Sequence, residues 1–288
     1  MAGVLYVVAT PIGNLEDVTQ RALRVLGEVD LIAAEDTRRT RVLLEKHGIR
    51  RPLTSYYDAV ERERAPAIVE RLKAGAQVAL VSDAGTPGIA DPGYHLVRGA
   101  LEAGVAVVPV PGASAVAAIV SVAGFPADRF VFEGFLPTRS GPRAARLAAL
   151  ADEPRAIVFL EAARRLAAFL DAAEAALGDR EVVVGRELTK RHEEIIRGTI
   201  AGLRAGLARR GALKGEVTVL VAGAPAAPAV VDEPALDAQI RAGRAAGRGL
   251  RELATELARA TGLRRRDVYR RALALERQPA SSARDTNQ

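Results

Sequence analysis

Four segments of the sequence, 10–17, 35–38, 82–88 and 109–115, carry Gly, Pro and other small residues, carboxylates, or both. Each follows or ends a short apolar run, as expected where a buried strand passes into a loop. In open α/β sheets, ligands bind beyond the carboxyl ends of the strands. The sequence therefore predicts a crevice of backbone amides, small side chains and a few carboxylates, which suits a compact zwitterionic or adenosine-like ligand.

Each segment has a simpler interpretation when it is taken alone. Asn14 can cap the helix that follows it, with Asp17 at the third helical position. Asp36 can cap the next helix, and Asp83 can be an ordinary turn residue. Four such segments at one edge of a sheet nevertheless favour a ligand site over four unrelated turns.

Several common kinds of site are not favoured because their motifs are absent. The sequence contains no G-x-x-x-x-G-K-[ST], no G-x-G-x-x-G after its first strand and no G-x-S-x-G. It has no Cys and only three His. Disulfides and thiol chemistry are thereby excluded, and we expect no metal site.

Apolar runs and helical patterns alternate in the first part of the chain. The predicted strands are 4–9, 29–34, 52–56, 77–81 and 105–108, and the predicted helices are 18–27, 38–47, 59–74 and 92–103. Gly48, Gly75 and Gly104 follow three of these helices as C′ residues. Asp91 and Pro92 predict the N-cap and first position of the fourth. This alternation predicts an open, mostly parallel sheet over residues 1–110.

The pattern restarts after the stiff segment 109–112. The strands predicted there are 129–133, 156–160, 181–186, 193–197 and 216–222, and the helices are 113–123, 141–151, 162–177 and 199–209. A Pro/Ala linker at 224–234 precedes three short helical patterns. The predicted fold class is α/β, with two α/β domains and a small C-terminal three-helix module. The predicted bounds are 1–112, 113–224 and 235–277 for a helix-turn-helix-like module, with a disordered tail at 278–288.

The excess positive charge lies in the last fifth of the chain. The formal net charge is +6, and residues 235–288 hold 12 Arg against 6 acidic residues. A neutral body with a basic end indicates a core plus an arm for a polyanion. A basic surface that only aids solubility is the alternative.

The loop segments together resemble the tetrapyrrole methylase superfamily, S-adenosylmethionine-dependent enzymes of two α/β domains. The resembling motifs are Ala9-Thr-Pro-Ile-Gly-Asn-Leu-Glu-Asp17, Glu35-Asp-Thr-Arg38, Ser82-Asp-Ala-Gly-Thr-Pro-Gly88, Pro109-Val-Pro-Gly-Ala-Ser-Ala115, Phe132-Glu-Gly-Phe-Leu-Pro137, Arg186-Glu-Leu-Thr-Lys190 and Lys214-Gly-Glu216. The chain departs from the family at Glu161-Ala-Ala-Arg-Arg165, where the family tends to carry Glu-x-Pro-His-Arg. No role for that His carries over.

The resemblance implies a cofactor cleft between the two α/β domains. The residues implied to bind S-adenosylmethionine are Pro11, Asp83, Gly85, Pro87, Ser114, Ala115, Phe132, Gly134, Leu136 and Ala222. The residues implied to be catalytic are Lys190, Glu187 and Asp36. Lys190 can act as a base or as a cation beside an oxyanion, whereas the alternative for 186–190 is a surface salt-bridge cluster.

The residues expected to bind RNA come from the loops and from the basic module. They are Arg38, Arg139, Arg143, Arg264, Arg265, Arg266 and Arg270. Arg38 can instead pair with Asp36, and the arginines at 139 and 143 can simply line a solvated helix face.

Within the superfamily, the chain resembles the branch that methylates the ribose 2′-oxygen of a decoding-centre (P-site) cytidine in 16S ribosomal RNA. That resemblance implies 16S RNA or the small ribosomal subunit as partner, and a homodimer. No apolar run approaches the roughly 20 residues of a membrane span and no secretory signal is recognised, so we expect a cytoplasmic protein. The alternatives are C-methylation of a tetrapyrrole precursor and a non-catalytic RNA-binding protein.

Overall fold

The computed structural model describes residues 3–210, 213–225, 232–261, 263 and 265–277. The chain divides into two compact units, Met1–Ala224 and Pro225–Gln288. Arg264, the tail 278–288 and linker residues 226–231 lie outside the described residues. Within the part of the chain that is described, no helix is long and apolar enough to cross a membrane.

The first unit begins with a parallel five-stranded sheet. Its strands are β1 (Val4–Val8), β2 (Leu31–Ala34), β3 (Leu53–Ser55), β4 (Gln77–Val81) and β5 (Ala106–Val110), in the order β3-β2-β4-β1-β5. Along β2, Leu31 and Ala33 belong to one apolar cluster, and Ile32 and Ala34 belong to another. Alternate side chains therefore enter cores on both faces of the sheet. The parallel sheet predicted from continuous apolar runs is confirmed.

Four helices flank this sheet. They are α1 (Gln20–Glu28), α2 (Thr37–Lys46), α3 (Glu61–Lys73) and α4 (Tyr94–Glu102). Thr19 caps α1 by accepting the Ala22 N–H, and Asp36 caps α2 by accepting the Arg38 N–H. These caps satisfy backbone donors that the first helical turn leaves free.

The start predicted for α4 is wrong. The helix begins at Tyr94, and its N-cap is Gly93 rather than Asp91. Gly88, Ala90 and Gly93 have φ values of +80°, +63° and +153°, so the chain keeps turning past Pro92. A Cβ on Gly93 would lie 3.2 Å from Leu80 Cδ2, which explains why glycine occupies this turn. Asp91 is thereby released from a capping role.

The second sheet mixes parallel and antiparallel strands. They are β6 (Phe130–Phe135), β7 (Ala156–Ala162), β8 (Glu181–Arg186), β9 (Glu194–Thr199) and β10 (Glu216–Val221), in the order β6-β7-β10-β8-β9. The β6–β7 pair is parallel, and the other three pairs are antiparallel. Because β10 runs against both β7 and β8, its first residues lie beside the carboxyl ends of those two strands.

Helices cover both faces of the second sheet. They are α5 (Ala115–Ser121), α6 (Ser140–Ala148), α7 (Leu166–Leu177) and α8 (Ile200–Ala208). Phe159 and Phe169 lie in the core on one face. On the other face, Ile119 of α5 packs in a cluster that Ile12 joins from the loop after β1. The two sheets thus belong to one unit, with the predicted 112/113 boundary in the connection between β5 and α5.

The second unit contains the predicted C-terminal helices α9 (Glu233–Ala245), α10 (Leu250–Thr261) and α11 (Arg265–Arg277). Their small core includes Leu236, Leu253 and Val268. Arg271 of α11 lies 2.8 Å from Asp237 and 3.0 Å from Glu233. This arginine therefore ties α11 to α9 within the unit.

Candidate active site

A cavity of about 290 Å³ lies where the loops of the first sheet meet the edge of the second. The loops after β1 and β4 and the start of α5 form one wall, and the ends of β6, β7 and β8 with the start of β10 form the other. We call this cavity the cleft. Its lining residues are Ile12, Ala84, Gly85, Thr86, Ile89, Asp91, Ser114, Ala115, Val116, Phe132, Phe135, Leu160, Glu161, Ala162, Gly185, Glu187, Leu188, Lys190, Glu216, Val217 and Thr218.

The loop after β4 is fixed to the end of β1. Thr10 and Gly85 exchange two backbone hydrogen bonds, of 2.8 and 3.0 Å, and Thr10 Oγ1 donates to the Ser82 carbonyl at 3.0 Å. Gly85 has a φ of +80°, which an L side chain adopts only with strain. The cleft floor is consequently a tight backbone turn with no side chain at its centre.

Lys190 is held at the opposite wall by two glutamates. Its Nζ lies 2.9 Å from Glu187 Oε1 and 3.2 Å from Glu216 Oε2. Partial burial opposes the charged form of Lys190, but its hydrogen bonds to the two carboxylates leave its pKa above the ordinary lysine value. Lys190 is therefore a protonated cation, and the role of proton acceptor left open by the sequence is disfavoured.

The backbone around this cluster is strained. Glu187 and Thr189 have φ values of +50° and +65°, a region that non-glycine residues rarely occupy. Such outliers persist only where the surrounding structure enforces them, and they concentrate at functional sites. Here the strain places Glu187 beneath the amine of Lys190.

The carboxylates near the cleft differ in environment. Burial, with the negative charge of Glu35 nearby, raises the pKa of Asp91 to about 7. Burial likewise raises the pKa of Glu35. Asp36 accepts hydrogen bonds from the Arg38 side chain, which lowers its pKa to about 2. Asp36 does not line the cleft, so the structure does not bring it together with Lys190 and Glu187.

Four of the residues implied to bind the cofactor line the cleft: Gly85, Ser114, Ala115 and Phe132. Pro11 and Pro87 are sequence neighbours of lining residues. Asp83 does not line the cleft. It accepts a hydrogen bond from the Asp36 N–H at 2.9 Å and pairs with Arg39 at 3.2 Å.

Three others lie outside the cleft. The β6–β7 register shifts between Phe132 and Gly134, and Leu136 is only 3% exposed in the core of the second sheet. Ala222 follows the last residue of β10, at the opposite end of the strand from Glu216. Because β10 runs antiparallel to β7 and β8, its carboxyl end lies away from the ends of those strands that line the cleft. The rule that ligands meet carboxyl ends of strands does not extend to this strand.

The arginines expected to bind RNA lie on several elements of both units. Arg38 forms a two-point pair with Asp36. Arg139 is exposed before α6. Arg143 is half-buried, and its Nε has no hydrogen-bond partner among the residues that the structure describes. On α11, Arg265, Arg266 and Arg270 are exposed, whereas Arg264 lies outside the described residues.

Sequence reasoning missed several lining residues. Asp91 was hidden by its resemblance to a helix cap. Phe135 is 56% exposed and Ile89 is 47% exposed, and both line the cleft. At the departure from the family motif, Glu161 is 2% exposed, lines the cleft and pairs with Arg165. Glu161 and Arg165 thus form an ion pair in a segment that lacks the family's Pro and His.

The cleft fits a compact adenosine-like cation. Its volume is at the lower end of small-molecule pockets, roughly 300–1,000 Å³. The turn at Gly85 admits close approach of a ligand, and Phe132 and Leu160 supply an apolar wall. Asp91 supplies the lining with a carboxyl group that can match a positive sulfonium when it is ionised. The lining therefore suits S-adenosylmethionine.

Comparisons with known proteins agree with this fit. The model of the family Tetrapyrrole (Corrin/Porphyrin) Methylases matches residues 4–204. A Ribosomal RNA small subunit methyltransferase I from Pseudomonas aeruginosa is 46% identical over 94% of this chain and 97% of its own length. One of the same name from Thermotoga maritima is 48% identical over 77% of this chain and 99% of its own length.

A solved structure shares the fold at low identity. The uroporphyrin-III C-methyltransferase of Thermus thermophilus, in complex with S-adenosylhomocysteine, aligns with a TM-score of 0.54 and 20% identity. The alignment covers 76% of this chain and 97% of that one.

Proposed function

The chain belongs to the tetrapyrrole methylase family, and we propose that within this family it methylates the ribose 2′-oxygen of a P-site cytidine in 16S ribosomal RNA. The methyltransferase class is that of the family. The cofactor predicted from the sequence, S-adenosylmethionine, is confirmed. The RNA substrate, the nucleotide and the oxygen constitute the proposal.

The observation that carries the proposal is how far the likeness to the ribosomal RNA enzymes extends. The Pseudomonas relative matches over 94% of this chain at 46% identity. The uroporphyrin enzyme matches 76% of it at 20% identity, which supports only the fold. Tetrapyrrole methylation is therefore the weaker candidate.

The cleft residues can position a hydroxyl for methyl transfer. When bound, the cofactor supplies an electrophilic methyl group on a sulfonium that leaves as a neutral thioether. A ribose 2′-hydroxyl is a weak nucleophile, so alignment and charge stabilisation must lower the barrier. Lys190 is protonated and lines the cleft, where it can stabilise the negative charge that develops on the 2′-oxygen while the hydroxyl proton passes to solvent water. Glu187 and Glu216 keep the ammonium charged and oriented.

The substrate form and the assembly belong to the same proposal. We expect bare 16S RNA or the small ribosomal subunit to be the partner, in the cytoplasm. We also expect a homodimer, on the resemblance alone. Light scattering of the purified protein measures its oligomeric state directly.

One assay tests the substrate class. The protein is incubated with labelled S-adenosylmethionine and, in parallel, with small subunits, bare 16S RNA and uroporphyrinogen. We expect label in RNA, at a nucleotide that resists alkaline cleavage because its 2′-oxygen is methylated. Label in the macrocycle would establish the tetrapyrrole alternative, and cofactor binding without any transfer would favour the non-catalytic one.

A further inference from the structure

A second cavity, of about 550 Å³, adjoins the cleft at Lys190, which lines both. Its wall comes from the loop after β1, the last turn of α2 and the β8–β9 turn. The lining residues are Gly13, Asn14, Leu15, Lys46, Thr189, Lys190 and Arg191. Three of them are cationic and none is acidic. We call Lys46, Lys190 and Arg191 the cationic shelf.

Two of the three cations lack a counter-ion. Lys190 is engaged by Glu187 and Glu216. Lys46 and Arg191 are exposed, and neither has a carboxylate within ion-pair distance among the residues described. Their charges are thus available to an anion in the cavity.

At the shelf, the loop after β1 is joined to the β8–β9 turn by a hydrogen bond and a close contact. The Asn14 N–H donates to Thr189 Oγ1 at 3.0 Å. A Cβ on Gly13 would lie 2.3 Å from Lys190 Cγ and 3.0 Å from the Leu188 carbonyl. The loop after β1 therefore presses directly on the β8–β9 turn, and the shelf is fixed to the wall that carries Lys190.

We propose that the cationic shelf binds a backbone phosphate beside the methylated nucleotide. This inference rests on the proposed function. In RNA, the carbon that bears the 2′-oxygen is bonded to the carbon that bears the 3′-phosphate. A ribose whose 2′-oxygen approaches Lys190 in the cleft must place that phosphate close by. The cationic shelf supplies cations in the second cavity, which shares the Lys190 side chain with the cleft.

The chemistry of the shelf matches a phosphodiester. Lysine provides a compact point charge, and arginine can bind two phosphate oxygens at once. Phosphate contacts fix the register of a nucleic acid without reading its sequence. The shelf would therefore position the strand, while the cleft selects the ribose.

The test uses the full-length protein with cofactor present and a ten-nucleotide oligouridylate as probe. The variants are Lys46→Gln, Arg191→Gln and their combination. Lys73→Gln is the matched control, since Lys73 lies on α3 and pairs with Glu70 at 2.8 Å. Dissociation constants are measured at several salt concentrations, and S-adenosylmethionine affinity is measured separately.

We expect each single variant to weaken oligonucleotide binding by about tenfold and the salt slope to fall by about 0.7 per lost contact. Cofactor affinity should stay within about twofold of wild type. If the double variant binds the oligonucleotide as the Lys73→Gln control does, the shelf does not bind phosphate.

The proposed function is judged by a different readout, the transfer of label to 16S RNA by the wild-type protein. Loss of oligonucleotide affinity in the shelf variants, without any transfer by wild type, would support the shelf and overturn the proposed function. Wild type that binds no oligonucleotide would overturn the shelf itself.

Discussion

At the scale of residues, the arrangement around Lys190 determines what this side chain can do. Two carboxylates within 3.2 Å keep the amine protonated, so we expect Lys190 to act through its charge rather than by removing a proton. The loss of one such charge-stabilising donor commonly costs a factor of 10²–10³ in turnover. Glu187, which holds this amine, has a positive φ that non-glycine residues rarely adopt.

We expect Lys190→Met to lower turnover on RNA by about 10²-fold with little change in cofactor affinity. Methionine preserves much of the apolar stem that packs on Gly13 while removing the charge. Titration calorimetry measures the cofactor affinity, and single-turnover assays measure transfer. Lys214→Met is the control, because Lys214 does not line the cleft. A normal transfer rate in the Lys190 variant would refute its assignment.

Asp91 predicts a pH-dependent preference for the cofactor over its product. The pKa of Asp91 is raised to about 7 by burial, so the carboxylate forms as pH rises through 7. The sulfonium of S-adenosylmethionine is positive, whereas S-adenosylhomocysteine has a neutral thioether. We expect the affinity ratio of cofactor to product to increase between pH 6 and pH 8 in wild type, measured by calorimetry. In Asp91→Asn the ratio should stay flat, and a wild-type ratio independent of pH would contradict this role.

At the scale of elements, the site depends on one contact between the loop after β1 and the β8–β9 turn. Gly13 sits at this contact with no room for a Cβ, whereas Gly27 near the end of α1 has nothing within 4 Å of one. The two positions therefore make a matched pair for the same substitution.

We expect Gly13→Ala to lower the free energy of unfolding by about 1–3 kcal/mol through overpacking. Gly27→Ala should raise it by about 0.5–1 kcal/mol, since alanine favours helix. Denaturant unfolding of both variants measures these changes. The same sign of effect at both sites would show that the loop can move away from the turn.

Much of this architecture is predictable from sequence because each apolar run signals a strand by itself. The apolar run 77–81 predicts a strand with the bounds that β4 has. The wrong predictions concern residues whose placement depends on parts of the chain that are distant in sequence. Asp91 faces the cleft because of the turn through Gly93, and Leu136 enters the core after the β6 register shift. The pairing of Lys190 with Glu216 spans two strands, and only the antiparallel neighbourhood of β8 and β10 brings these residues together.

At the scale of the whole molecule, the two compact units differ in charge and in distribution among relatives. The excess of positive charge lies in residues 235–288, with 12 Arg against 6 acidic residues. The Thermotoga relative aligns over 99% of its own length to 77% of this chain. That protein leaves almost no length for a counterpart of the second unit. We therefore expect the first unit to hold the cofactor site by itself, and the basic helices of the second unit to add to RNA affinity.

Truncation after Pro234 tests this division. We expect the shortened protein to fold and to bind S-adenosylmethionine with unchanged affinity, because every residue lining the cleft lies before the linker. RNA binding should weaken and its salt dependence should become shallower, because a protein that makes fewer phosphate contacts releases fewer counterions when it binds. A full-length variant with Arg265, Arg266 and Arg270 all changed to Gln removes three exposed charges of α11 and should reproduce part of the loss.

Filter binding across a salt series measures both proteins, and thermal unfolding checks their folding. Aggregation of the truncated protein would mean that the helices are required for folding. Equal RNA affinity and equal salt slope in a well-folded truncated protein would show that the second unit does not bind the substrate.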